Sequence, residues 1–133
     1  MILPGELNAA LSQWMAEHGR GSLGASSRGL SEAYRKGQSS SNVNLAAYVA
    51  TRVPATFEAN RAAHLTLAAV MPDFAPETCL DIGAGPGVAS WAAVSAWPSL
   101  SKLVQCEQDK SFAELATALN AANNVMPNRT PAW

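Results

Sequence analysis

A chain of 133 residues, 48% apolar and only 14% charged, has enough to bury one core, which excludes a disordered, self-repelling polymer. No apolar run reaches the ~18 to 20 residues of a membrane span and the N-terminus lacks the charged-then-apolar layout of a secretory signal. A cytoplasmic protein with no membrane partner is therefore expected.

The net charge of −1 conceals an uneven distribution: residues 1–71 carry six bases and four acids, residues 72–133 three bases and six acids. A mildly basic first half fits either an RNA-facing surface or an ordinary solvated helical one.

Taken in chain order, Leu3, Leu7, Leu11 and Trp14 recur at helical spacing around Pro4 and predict an amphipathic helix over about 4–17, stopped at His18-Gly19. Arg20 to Ser27 reads as a Gly/Ser loop, Leu30, Ala33 and Tyr34 as a short second helix ended by Gly37, and Gln38 to Asn42 as a linker. Val43 to Arg52 is helical in pattern, Pro54 interrupts it, and a longer helix is expected from Thr56 to Met71. Residues 1–71 thus form a helical extension.

Thr78 to Asp81, the turn Ile82-Gly83-Ala84-Gly85-Pro86-Gly87 and the run Val88-Ala89-Ser90-Trp91 then read as strand, glycine turn and helix start. A helix over about 88–97, a strand over about 102–107 and a helix over about 111–123 follow, which predicts a right-handed parallel crossover. Asn123 to Trp133 reads as a loop. Two strands fall short of the five or more of a doubly wound sheet, so residues 72–133 are expected to begin such a domain in the N-terminal portion of a longer protein. The open edges of a two-stranded sheet would favour a homodimer or a swapped assembly.

The glycine turn carries the chemistry. Gly83, Gly85 and Gly87 let the backbone approach a ligand with no Cβ in the way. Their G-x-G-x-G spacing departs from the dinucleotide pattern G-x-G-x-x-G, which would need glycine where Val88 stands. Asp81 before the turn suits a cationic ligand better than a phosphate, as in the D-x-G-x-G-x-G motif that resembles the first motif of class I S-adenosylmethionine-dependent methyltransferases. Glu107, twenty residues after Gly87, stands where such folds use an acid to accept from ribose hydroxyls. Asp109 reads as an N-cap or first-turn acid. Cys79 and Cys106 fall inside the predicted strands and read as core; His18 and His64 read as helix surface; and no spacing suggests a metal.

A longer stretch narrows the match. Leu45-Ala46-Ala47-Tyr48-Val49-Ala50-Thr51-Arg52-Val53-Pro54-Ala55-Thr56-Phe57, then Pro72-Asp73-Phe74-Ala75-Pro76, then Leu80 to Ala93 through the turn, with Leu30 to Arg35 upstream, resembles the methyltransferase-like family associated with the small ribosomal subunit of bacteria and mitochondria. The similarity runs from about residue 28 to 115. It implies a class I, Rossmann-like α/β fold behind an N-terminal helical region, an S-adenosylmethionine site, and the small ribosomal subunit or its rRNA as partner.

Carried over by position, the resemblance brings Gly83, Gly85 and Gly87 close to the cofactor, Asp81 beside its amino-acid or sulfonium end, and Glu107 to its ribose. Arg52 would pair with the methionine carboxylate; the residues alone read equally as a helix C-terminal cation packed on Tyr48. Trp91 reads as core rather than an adenine stack. Family members carry later cysteines suited to an iron–sulfur cluster, and neither Cys79 nor Cys106 matches them, so no cluster is expected. No catalytic residue is assigned, because in-line methyl transfer needs alignment more than a base and acceptor-selecting residues follow later strands of such folds. An rRNA methyltransferase and a ribosome-assembly protein without turnover both fit. A nicotinamide-dependent reductase fits least, given Val88.

Overall fold

The structure, a computed structural model, describes residues 3–18 and 45–121 and the backbone of 128–132. The second helix expected near Leu30, with the loop and linker around it, lies outside the described residues.

Helix α1 (Gly5–His18) starts where the sequence places it. Pro4 suits a helix entry because it lacks the N–H that the first turn cannot use, and its carbonyl accepts from the Asn8 N–H at 2.9 Å. Leu7, Ala10 and Leu11 are buried, with Leu3, Trp14 and Met15 packed at the margin of the core. His18 is exposed and stacks on Trp14, ring centroids 4.7 Å apart.

Helix α2 (Leu45–Val70) corrects the expectation of two helices: its 26 residues run straight through Pro54. Proline removes one ladder bond and crowds the carbonyl four residues back. That residue, Ala50, is exposed, so water can serve its carbonyl. Val49, Val53 and Phe57 form a buried row past the proline, and Val53 and Phe57 on either side of it are among the most deeply buried residues. Burying a large apolar side chain stabilises by ~1.5–3 kcal/mol, so two such anchors offset the missing bond.

Strand β1 (Thr78–Ile82), helix α3 (Val88–Ala96), strand β2 (Lys102–Cys106), helix α4 (Lys110–Ala121) and strand β3 (Asn128–Ala132) alternate, and the strands form one parallel sheet in the order β1-β2-β3. The chain is thus a mixed α/β structure, with helices preceding a small parallel sheet. The third strand overturns the reading of the tail as loop. Its sequence, Asn128-Arg129-Thr130-Pro131-Ala132, has a single β-branched residue and a proline, which a sheet accepts at an edge, and β3 is an edge strand.

Register separates two faces. Cys79 and Asp81 align with Leu103 and Gln105; Leu80 and Ile82 align with Val104 and Cys106. The first face is covered, with Leu103 and Gln105 buried. The second leaves Leu80 60% and Ile82 76% exposed. The cysteines therefore correct their reading as core: both are half-buried and free, Cys79 on the covered face and Cys106 on the open one.

One apolar cluster links the helices, joining Leu7 and Leu11 of α1, Val53 and Phe57 of α2, Trp91 of α3 and Leu115 and Leu119 of α4. Tyr48 meets Phe112 edge-on at 5.0 Å. At the N-terminal end of the sheet, Ser101 and Lys102 N–H both donate to the Glu77 carbonyl. Trp97 Nε1 donates to His64 Nδ1 at 3.2 Å, so His64, expected as helix surface, is half-buried and partnered. Among the described residues no helix is long and apolar enough to cross a membrane.

Candidate functional site

Because β1 and β2 are parallel and in register, Ile82 and Cys106 end side by side, and both following loops open at one end of the sheet. Five residues, Gly83 to Gly87, join β1 to α3, and their N–H groups can be accounted for completely. Gly83 and Ala84 both donate to the Cys106 carbonyl, at 2.8 and 3.0 Å, and Gly87 donates to the Ala84 carbonyl at 2.8 Å. Gly85 donates to Glu107 Oε2 at 2.7 Å. Pro86 has no N–H. Every donor of the loop is therefore satisfied within the chain.

The three glycines have φ of 69°, 54° and 81°, a left-handed region costly for residues with a Cβ. A Cβ at Gly83 or Gly85 would meet nothing within 4 Å, so the loop is open there. Gly87 differs: a Cβ would lie 2.5 Å from Gln105 Nε2. It is also the N-cap of α3, with no side chain capping the helix.

Two carboxylates flank the loop. Glu107 is held at both oxygens, Oε2 by Gly85 N–H and Oε1 by Asp109 N–H, each at 2.7 Å. Asp109 Oδ1 in turn accepts from Phe112 N–H at 3.1 Å, which bears out its reading as the N-cap of α4. Asp81 is half-buried, and its Oδ2 accepts from the buried Ser90 Oγ at 2.5 Å. Burial, and then the Asp81 charge, push the neighbouring Cys79 thiol up from its ordinary value of 9.0, so it is a poor thiolate nucleophile. Gln105, the register partner of Asp81, is 4% exposed, and its Nε2 has no hydrogen-bond partner. From Glu107 and Gln108 a groove of about 470 Å³ runs along one face of α4, past Lys110, Ala113, Glu114 and Thr117.

The structure thus brings together Asp81, Gly83, Gly85, Gly87 and Glu107. Arg52 is half-buried in the middle of α2; because α2 continues to Val70, Arg52 is not a C-terminal cation. Tyr48 is a core residue against Phe112, and Trp91 is core as expected. Sequence reasoning missed Ser90 and Gln105. Gln105 left a trace, an uncharged polar side chain in the middle of an apolar strand; Ser90 left none, since only the fold sets it against Asp81. Among the described residues no group of three or more His, Cys, Asp or Glu side chains could hold a metal ion.

A family model described as mitochondrial small ribosomal subunit Rsm22 matches residues 42–131, a span from the start of α2 through the glycine loop to β3. No curated protein matches the chain.

Proposed function

We propose that this chain, which belongs to the Rsm22 family of the mitochondrial small ribosomal subunit, binds S-adenosylmethionine in a class I, Rossmann-like methyltransferase fold and acts on or with small-subunit rRNA. Residues 72–133 are read as the opening of that domain, residues 1–71 as its helical extension, and the cytoplasm as its location.

The accounting of loop donors carries the cofactor reading. A pyrophosphate at a glycine turn needs free N–H groups and a helix N-terminus. Here every N–H from Gly83 to Gly87 already has an acceptor, which leaves only the uncapped start of α3 to an anion, and two carboxylates stand beside the loop. Such surroundings disfavour a phosphate and suit a phosphate-free cation. The open sides of Gly83 and Gly85 leave room for close approach.

When bound, S-adenosylmethionine supplies a methyl group on a sulfonium centre, which an acceptor takes by in-line displacement. The chain's own part is binding and orientation. Asp81, fixed by Ser90, would face the amino-acid or sulfonium end. Glu107 spends one acceptor position on each oxygen and keeps others for ribose hydroxyls. Arg52 is proposed for the methionine carboxylate, and no residue is assigned a proton transfer.

Calorimetric titration with S-adenosylmethionine and with NADH tests the cofactor: saturable binding of the first alone is expected, and NADH binding without the other would reverse the reading. The matched description names a ribosomal subunit rather than an enzyme, which favours a second reading, an assembly protein that keeps the cofactor loop without turnover. Methyl transfer from labelled cofactor to small-subunit rRNA selects the first reading; ribosomal association with cofactor bound but no transfer selects the second. The edge of β1, unpaired among the described residues and with Leu80 and Ile82 exposed beside it, is the place proposed for a homodimer or swapped assembly. A clean monomer by light scattering at high concentration would count against it.

A further inference from the structure

We infer that Glu107 is a positioning residue that shapes the glycine loop before any ligand arrives. Gly85 is the middle glycine of the turn, and its N–H is the one loop donor that goes to a side chain; the other three go to backbone carbonyls. The same carboxylate takes the N–H of Asp109, the residue that caps α4. One side chain therefore fastens three pieces, the end of β2, the crest of the loop and the start of α4.

Both bonds are short and charge-assisted, the stronger class of hydrogen bond. Gly85 is left-handed, with φ of 54°, and the space where a Cβ would stand is open, so no neighbour packs against that side of it. Without Glu107, the Gly85 peptide would turn its N–H to water and the loop would sample other arrangements. A ligand would then have to order it at a cost in affinity.

The bracing stands on ligand-free geometry; its effect on affinity rests on the adenosylmethionine reading above. The test is residue-resolved amide hydrogen exchange on the ligand-free full chain, comparing the unaltered protein with E107Q and E107A. In E107A the Gly85 and Asp109 amides should exchange faster by on the order of ten- to a hundredfold. In E107Q, whose single amide oxygen can keep only one of the two bonds, only one of those amides should lose protection. Leu103 and Leu115 should keep theirs, which separates bracing from general loss of stability. Unchanged exchange at Gly85 and Asp109 in both variants would overturn the inference, as would an equal rise at Leu103 and Leu115.

Titration with S-adenosylhomocysteine then reads the summed loss of bracing and ribose contact, with E107A expected to weaken binding at least about tenfold. If the unaltered protein fails to bind this probe, the cofactor reading falls while the exchange result still decides the bracing.

Discussion

The glycine loop and the α1–α2 packing are two solutions to holding a chain in place. Around Phe57 and Leu7 the chain is held by apolar volume, with side chains from four helices filling one cluster. Around Gly85 it is held by directional bonds to Cys106, Glu107 and Ala84, beside the buried Ala84 and Pro86. The first region should respond to lost volume and barely to lost polarity. The second should respond to a single misplaced hydrogen bond or Cβ and influence binding more than stability.

The largest expected effect tests the packed region. Phe57→Ala removes one of the largest fully buried side chains and should cost about 3–5 kcal/mol of unfolding free energy in a denaturant titration. A loss under about 1 kcal/mol would show that α2 is not anchored through Phe57. Gly87→Ala comes next: its φ of 81° is costly for alanine, and the new Cβ meets the buried Gln105. About 2 kcal/mol of stability should be lost, and S-adenosylhomocysteine binding should weaken with it. Gly87→Ala together with Gln105→Ala should recover the part due to the clash and leave the part due to backbone conformation.

Ser90→Ala should cost about 1.5–3 kcal/mol, the range for a hydrogen bond to a charged group. Ser90→Thr keeps the hydroxyl, so recovery in that variant would assign the loss to the Asp81 bond. The smallest effect is a pH dependence. The fold raises the pKa of the Cys79 thiol above 9.0, so the folded chain keeps its proton where the unfolded chain begins to release it. This contribution is present below pH 9 and is lost as pH rises through the folded value. The thermal midpoint should therefore fall above pH 9, and less so in Cys79→Ala. Identical alkaline profiles for the two proteins would remove Cys79 from the balance.

The contrast also explains what was legible in the sequence. Apolar periodicity is a local signal, so α1, β1, α3, β2 and α4 emerged close to their observed limits. The glycine spacing was legible because a left-handed backbone restricts residue type at those points, and Glu107 because a lone acid closes an apolar strand. Pro54 misled because its helix penalty is local, whereas the burial of Val53 and Phe57 that offsets it is tertiary. The third strand was hidden for a related reason: Asn128 to Ala132 owe their conformation to pairing with β2, not to their own propensity. The bond from Gly85 to Glu107 could not be read at all, since the two lie twenty-two residues apart in the chain.

Pro54 also gives α2 a mechanical character. Tyr48, which touches Phe112 of α4, and His64, which receives the Trp97 hydrogen bond, stand sixteen residues apart on the helix, ~24 Å along its axis. The proline takes one rung from the ladder between them. An unbroken rod would carry a displacement of α4 undiminished from one contact to the other. With that rung missing, Pro54 is where bending α2 would cost least, between the Tyr48 and His64 contacts, and the buried Val53 and Phe57 hold the helix on both sides of it.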